Sequence, residues 1–172
     1  MITSWSTAAN GSTGQTLQLV VLSHGSGLEY TVLRRDSVRT LTNLNALNTF
    51  PGLHVPIEGG QLIGVYQPPD SQADCEASAS TGDNVTYSDV GDPGDNVPAD
   101  YASAFDTAFK VNAQAVVEPD ADHDGFGDET QDQCPSNASI QGSCPAHKKK
   151  CKKHKKKHSA SAAKKHCKKK KR

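Results

Sequence analysis

Between Glu118 and Pro135 the chain reads EPDADHDGFGDETQDQCP, with acidic residues at spacings that suit a hard dication. Asp120, Asp122 and Asp124 alternate, Gly125 follows, and Asp128 and Asp132 come after it. Ca2+ takes roughly six to eight oxygen ligands, and acidic loops supply them from alternating positions. Side chains at the first, third and fifth positions of a tight loop turn inward to one point. A glycine at the sixth lets the chain bend back through a conformation that other residues resist. The seventh position offers the backbone carbonyl of Phe126, and the ninth, Asp128, binds directly or through a water. The twelfth, a bidentate Glu in an EF-hand, is Gln131 here, with Asp132 one residue beyond. No long amphipathic pattern flanks the loop, which excludes a helix–loop–helix pair. The competing reading is a solvated acidic linker with no fixed ion. Five aspartates within residues 120–132 repel one another unless a cation sits among them, which favours the ion.

The segment DADHDGFGDETQDQCP resembles a thrombospondin type 3 repeat, a calcium-wrapped acidic repeat ending in Cys-Pro. It is similar in particular to the single copies near the C-termini of bacterial secreted and surface proteins. The resemblance covers about eighteen residues of the 172. It implies Asp120, Asp122, Asp124 and Asp128 as carboxylate ligands, Phe126 as a carbonyl ligand and Asp132 as the closing ligand. Only one copy is present, so the resemblance implies a local clip and not a cooperative array.

The elements that must carry this loop read as all-β. In Gln15–Ser23, QTLQLVVLS, Leu17, Leu19 and Val21 take one face while Val20 and Leu22 partly fill the other. The run SHGSG is a hairpin connection with two glycines to take positive φ, and Leu28–Arg35 resumes as a strand. Further strands are expected at Ile2–Thr7, Ser37–Leu41, Gly52–Pro56, Gln61–Tyr66, Asn84–Tyr87 and Phe109–Val117. Residues 71–100, rich in Asp, Ser, Gly and Pro, read as a long surface excursion with one short strand inside. Short strands with turn signals between them predict a β-sandwich, jelly-roll-like. The order LQLVVL, LEYTVLRR, LNTFPGLHVPIEGGQLIGVY is similar to bacterial extracellular sandwich modules, in which the Pro-x-x-Gly-Gly phrase puts a strand near a solvent edge. Trp5, Tyr30, Tyr66 and Tyr87 could form a sugar-stacking face, although alternating strand positions more often supply core and cross-strand pairs.

The net charge of zero hides a separation of signs. Residues 1–117 hold four basic and twelve acidic residues, residues 118–145 seven acidic and no basic, and residues 146–172 fifteen basic and no acidic. This divides the chain into a sandwich domain (1–117), a calcium-binding repeat (118–145) and a disordered Lys/His-rich tail (146–172). The tail cannot bury a core, and at full stretch it reaches about 90 Å. Lys148, Lys149, Lys150, Lys152, Lys153, Lys155, Lys156 and Lys157 form its densest run and suit an anionic cell-envelope polymer or surface. A tail that merely solubilises, or folds back on the acidic body, is the bland alternative. A zinc site from Cys151, His154, His158, His166 and Cys167 would have to settle among those positive charges with no apolar residues to fold around it. Nucleic-acid compaction by the tail is a further reading, but no aromatic interleaves the lysines to support specific recognition.

Cys134 and Cys144 bracket PSNASIQGS and are the preferred disulfide, closing the exit of the acidic loop. A loop of that size contributes about 2–3 kcal/mol in the chain-entropy model. Cys151 and Cys167 could pair across the tail, leaving Cys75 odd; the alternative is that all five are reduced thiols. The opening MITSWSTAANGSTGQ shows no secretion signal, and no stretch approaches the ~18 apolar residues of a membrane span. A calcium loop and a cysteine pair nonetheless belong outside the cell, and Ile2–Thr7 already reads as the inside of a strand. The expectation is therefore an upstream start and an extracellular or cell-surface protein. Nothing in the chain assembles a catalytic motif. His24-Gly25-Ser26-Gly27 sits in a turn, His54 reads as an ordinary strand residue, and no paired carboxylates can be argued. The expected protein is a non-enzymatic, calcium-binding structural or adhesive one. A glycan-binding sandwich is the rival.

Overall fold

In the computed structural model, residues 1–78, 84–88, 91–101 and 104–146 are described. Strands β1 (Ile2–Ala8), β2 (Thr16–His24), β3 (Glu29–Arg35), β4 (Arg39–Thr40), β5 (Leu47–Val55) and β6 (Leu62–Tyr66) form the first half. The second half holds β7 (Glu76–Ser78), β8 (Asn84–Tyr87), β9 (Pro98–Asp100), β10 (Ala104–Thr107), β11 (Phe109–Val111) and β12 (Gln114–Val117). Among the described residues every strand pairing is antiparallel and no helix occurs. The fold is all-β, as the sequence predicts.

Strand β2 is central to the larger sheet. It pairs with β6 along one edge, and with β3 and then β4 along the other, while β3 passes on to β9. Its apolar residues divide by parity. Leu17, Leu19 and Val21 are fully buried and meet Ile2 and Trp5 of β1 and Leu53 and Val55 of β5 in one core. The smaller sheet, β12–β1–β5, thus faces the larger one across shared apolar side chains, which removes both inward faces from water. Val20, Leu22 and Val32 point the other way and form a second cluster under Tyr30, Tyr66 and Tyr101.

The strand expected at Asn84–Tyr87 is β8, but residues 71–100 hold more than the single strand expected of a surface excursion. Three short strands lie there: β7 pairs with β11, β8 with β10 and β9 with β3. Arg35 clamps the segment to the sheet, with Nη2 on Asp92 at 2.6 Å, Nε on Asp95, and its guanidinium 5.5 Å from the Tyr66 ring centre. The single strand expected at Phe109–Val117 is two, β11 and β12, because Asn112 turns a corner between them. Its buried amide accepts from the Ala8 N–H at 3.2 Å and donates to Ala8 O and Asp74 O. In the β2–β3 turn only Gly27 takes a positive φ, and not both glycines.

Strand β5 begins earlier than expected and carries an irregularity. Ile2 pairs with Val55 but Ser4 pairs with Pro51, so β5 holds extra residues where Gly52 takes φ 74°. Pro51 is tolerated because β5 is the edge of its sheet. A bulge leaves residues unpaired and re-aims what they carry. This one frees Leu53 O and His54 to meet the acidic loop.

The supposed sugar-stacking face does not exist as one face. Trp5 is 0% exposed, with its ring 4.9 Å from Phe50 and its Nε1 donating to Asp36 Oδ2 at 2.8 Å. Tyr30 and Tyr66 belong to the other cluster, on the opposite side of β2. The reading of Trp5 as a ligand platform is overturned by its burial.

Candidate metal centre

The loop after β12 is pinned to the smaller sheet before it turns. Met1 N donates to Glu118 O and the Glu118 N–H donates to Met1 O, extending the β1–β12 ladder. The Glu118 carboxylate is 3% exposed and fully engaged. It accepts from the Thr3 hydroxyl at 2.9 Å, the Thr130 hydroxyl at 2.6 Å, and the N–H groups of Glu129 and Thr130 at 3.0 and 2.9 Å. Burial pushes its pKa up, but the hydrogen bonds led by Thr130 outweigh it and hold the carboxyl below its ordinary value. Glu118 is a structural anchor and not a ligand.

Two further anchors come from the β5 bulge. Gln131 Nε2 donates to Leu53 O at 2.9 Å while its Oε1 accepts from the Gly127 N–H. His54 Nδ1 lies 3.0 Å from Gly125 O, and its ring meets the Phe126 ring edge-on at 4.5 Å. Gly127 must be glycine, since a Cβ there would sit 2.5 Å from Glu118 Oε2 and 2.6 Å from Thr3 Cγ2. Gly125, with φ 90°, makes the reversal expected of the sixth loop position.

Between these anchors, ligand atoms of Asp120, Asp122 and Asp124 all lie within 4.8 Å of one another. Two oxygens on opposite sides of a cation with ~2.4 Å bonds are about that far apart, so the three can share one ion. Their hydrogen bonds differ. Asp120 accepts from the N–H groups of Asp124 and Gly125 at 3.0 and 3.1 Å, and Asp124 accepts from Phe126 N and Gln141 Nε2 at 2.9 and 3.0 Å. Asp122 accepts none: both of its oxygens are buried without a partner. Burial, then the charges of Asp124 and Asp132, push its pKa up. The backbone amides of Asn137 and Asp124 pull it back but do not reach hydrogen-bonding geometry.

Asp132 stands close enough for its charge to act on Asp122. It is 3% exposed, its Oδ1 accepts from the Cys134 N–H at 2.7 Å, and its Oδ2 is buried with no partner. Three orphaned carboxylate oxygens on these two aspartates are costly in a native protein, where buried polar atoms are nearly always satisfied. A cation beside them would remove that cost, and the group whose ligand atoms come together to hold one is Asp120, Asp122 and Asp124. Asp128 is placed differently: its carboxylate accepts from Ala121 N at 3.2–3.3 Å and its own N–H donates to Pro119 O. Phe126 is held at the loop by its N–H and its ring.

Cys134 and Cys144 form a disulfide with Cα atoms 4.8 Å apart, as expected, and Cys75 is a free thiol whose pKa burial pushes up to about 11. Cys151, Cys167 and every lysine of the run from Lys148 to Lys157 lie outside the described residues. Sequence reasoning missed the anchors Thr3, His54, Gln131 and Gln141, because nothing local marks a Gln or His as a partner for a loop far along the chain. Gln131 carried one hint, standing where an EF-hand has its closing carboxylate.

Fold and site together define an all-β protein bearing an aspartate loop that can hold a metal ion, followed by a disulfide. No protein-family model, curated protein or solved structure matches the chain. No helix among the described residues is long and apolar enough to cross a membrane.

Proposed function

We propose that this is a non-enzymatic, secreted or cell-surface calcium-binding protein, in which a Ca2+-rigidified clip joins a β-sandwich to a polycationic arm. The observation that carries the reading is the set of orphaned oxygens on Asp122 and Asp132. The donor set is all oxygen, which suits Ca2+ and disfavours zinc and other ions that prefer nitrogen or sulfur. In this reading Asp120, Asp122, Asp124 and Asp132 supply carboxylates, Phe126 its carbonyl, and Asp128 a direct or water-bridged contact. The loop would then be the thrombospondin type 3 repeat that its sequence resembles. The disulfide favours an oxidising compartment.

The clip's chemistry is structural. A bound ion neutralises the aspartates and fixes the exit of the chain from the smaller sheet. At ~1 mM Ca2+ and a Kd of ~10–100 µM, linkage contributes about 1.4–2.7 kcal/mol to the ordered state. Calorimetric titration of Ca2+ into the whole protein should give a stoichiometry near one. It should give no heat of binding in an Asp122→Ala, Asp124→Ala variant. An absence of binding at millimolar calcium would end the proposal.

The arm's role is electrostatic adhesion through counterion release, since fifteen basic residues with no acidic ones follow Ala146 at close spacing. Retention on an anionic polysaccharide matrix should fall steeply with salt and vanish when residues 147–172 are deleted. Retention that survives the deletion would place the adhesive surface on the sandwich instead.

A further inference from the structure

The structure joins the metal loop to the disulfide more closely than neighbourhood in sequence requires. The N–H of Cys134, itself 2% exposed, donates to Asp132 Oδ1 and so fixes the rotation of a carboxylate whose other oxygen is orphaned. The bridge folds residues 135–143 back so that the Gln133 N–H donates to Gln141 O at 2.9 Å. That bond presents the Gln141 side chain, whose Nε2 donates to Asp124 Oδ2 at 3.0 Å. Asp132 and Asp124 are thus each met by a group next to or held by the Cys134–Cys144 bridge.

We propose that the Cys134–Cys144 bridge is a working part of the metal site. It holds Asp132 and Gln141 against the aspartate loop, so that breaking it weakens metal binding and, reciprocally, bound metal protects the bridge. The inference rests on the metal reading above and adds its control by redox state. Groups that orient first ligands typically change metal affinity by about 10–100-fold when removed. Once the bridge opens, nothing covalent holds residues 135–143 over the loop, and Gln141 and Asp132 regain rotational freedom. Reduction moves two electrons and two protons from a dithiol to the sulfurs, leaving thiols at Cys134 and Cys144 and the dithiol as its own disulfide. Because affinity and reduction are linked through one state, a ligand that prefers the bridged form must stabilise that form by the same factor. Cys144 is exposed and offers the sulfur for attack, whereas Cys134 is shielded.

Calcium titrations of the whole protein, oxidised and then reduced with dithiothreitol, test the coupling. Fluorescence of Trp5, the one tryptophan, reports that the β core stays folded. The expected result is at least a ~10-fold loss of calcium affinity on reduction. Millimolar calcium should also slow reduction, read by alkylating the new thiols and weighing the peptide that carries Cys134 and Cys144. The Gln141→Ala variant keeps the bridge and the fold, and should lose affinity by about 10-fold as well. Equal affinity in the oxidised and reduced protein, with Trp5 still buried, overturns the coupling and leaves the calcium reading standing. Should reduction unfold the core, unchanged affinity in Gln141→Ala overturns it. No binding by the oxidised protein defeats the calcium reading itself, and the coupling with it.

Discussion

The Asp122→Asn variant should be as stable as the parent protein, or more stable, in a chelator, yet less stable in millimolar calcium. Most substitutions of a buried hydrogen-bonded aspartate destabilise under every condition. Asp122 differs because its carboxylate is buried with no donor on either oxygen and faces the charges of Asp124 and Asp132. Without an ion that arrangement opposes folding, and an amide of the same shape removes the charge and adds a donor. With an ion the same carboxylate becomes a ligand. The parent should gain about 1.4–2.7 kcal/mol from ~1 mM Ca2+ and the variant close to nothing. Urea unfolding followed by Trp5 emission, in chelator and in calcium, would show the order of the two proteins cross. Equal destabilisation in both conditions would make Asp122 an ordinary structural residue.

The same orphaned charge sets a pH dependence. The folded-state pKa of Asp122 lies above its ordinary 3.8, so the folded protein holds this proton to higher pH than the unfolded chain does. In chelator its contribution to stability is therefore present below that ordinary value and is lost as pH rises through the raised one. Calcium should reverse the trend, because the metal binds only the deprotonated ligand and drives the proton off. Urea midpoints taken across that pH window, with and without calcium, would check both signs.

Replacing Trp5 should have the largest effect on the fold. Trp5 is 0% exposed, lies against Phe50 and donates to Asp36 Oδ2 at 2.8 Å. Trp5→Ala removes a large buried ring and opens a cavity between the sheets, a change that costs about 3–5 kcal/mol. A domain of this size has roughly 5–15 kcal/mol in all, so the variant should sit close to unfolding. Asp36 keeps Arg39, which bonds it at 2.7 and 2.8 Å, so its charge is not left unpaired. Burial pushes the Asp36 pKa up, and the hydrogen bonds from Arg39 and Trp5 outweigh it and hold the carboxyl below its ordinary value. Trp5→Phe, which keeps most of the ring and loses one hydrogen bond to a charged group, should cost only about 1.5–3 kcal/mol. Far-ultraviolet circular dichroism in urea would measure both. A loss under ~1 kcal/mol for Trp5→Ala would contradict its place in the core.

Local pattern made much of this protein legible. The alternation in Thr16–His24 separates Leu17, Leu19 and Val21 from Val20 and Leu22, because successive side chains of a strand point to opposite faces. The Asp-x-Asp-x-Asp-Gly spacing brings Asp120, Asp122 and Asp124 together, because so tight a turn is closed by short-range geometry. The cysteine pair was readable for the same reason, being separated by a loop short enough to close on itself.

Tertiary structure decided what depends on partners far along the chain. Glu118 serves as an anchor because Thr3, 115 residues away along the chain, donates to one of its oxygens. Strand β8 was legible as Asn84–Tyr87, but β7 and β9 exist because β11 and β3 offer them edges, and composition around them carries no trace of those edges. Trp5 looked like a possible platform by residue type, and only the closing of one sheet over the other put it inside. The types and spacing of the residues in the aspartate loop are local features, and the order of residues alone carries them. Which oxygens are left without a donor, and so call for an ion, was decided by the folded surroundings of Asp122 and Asp132.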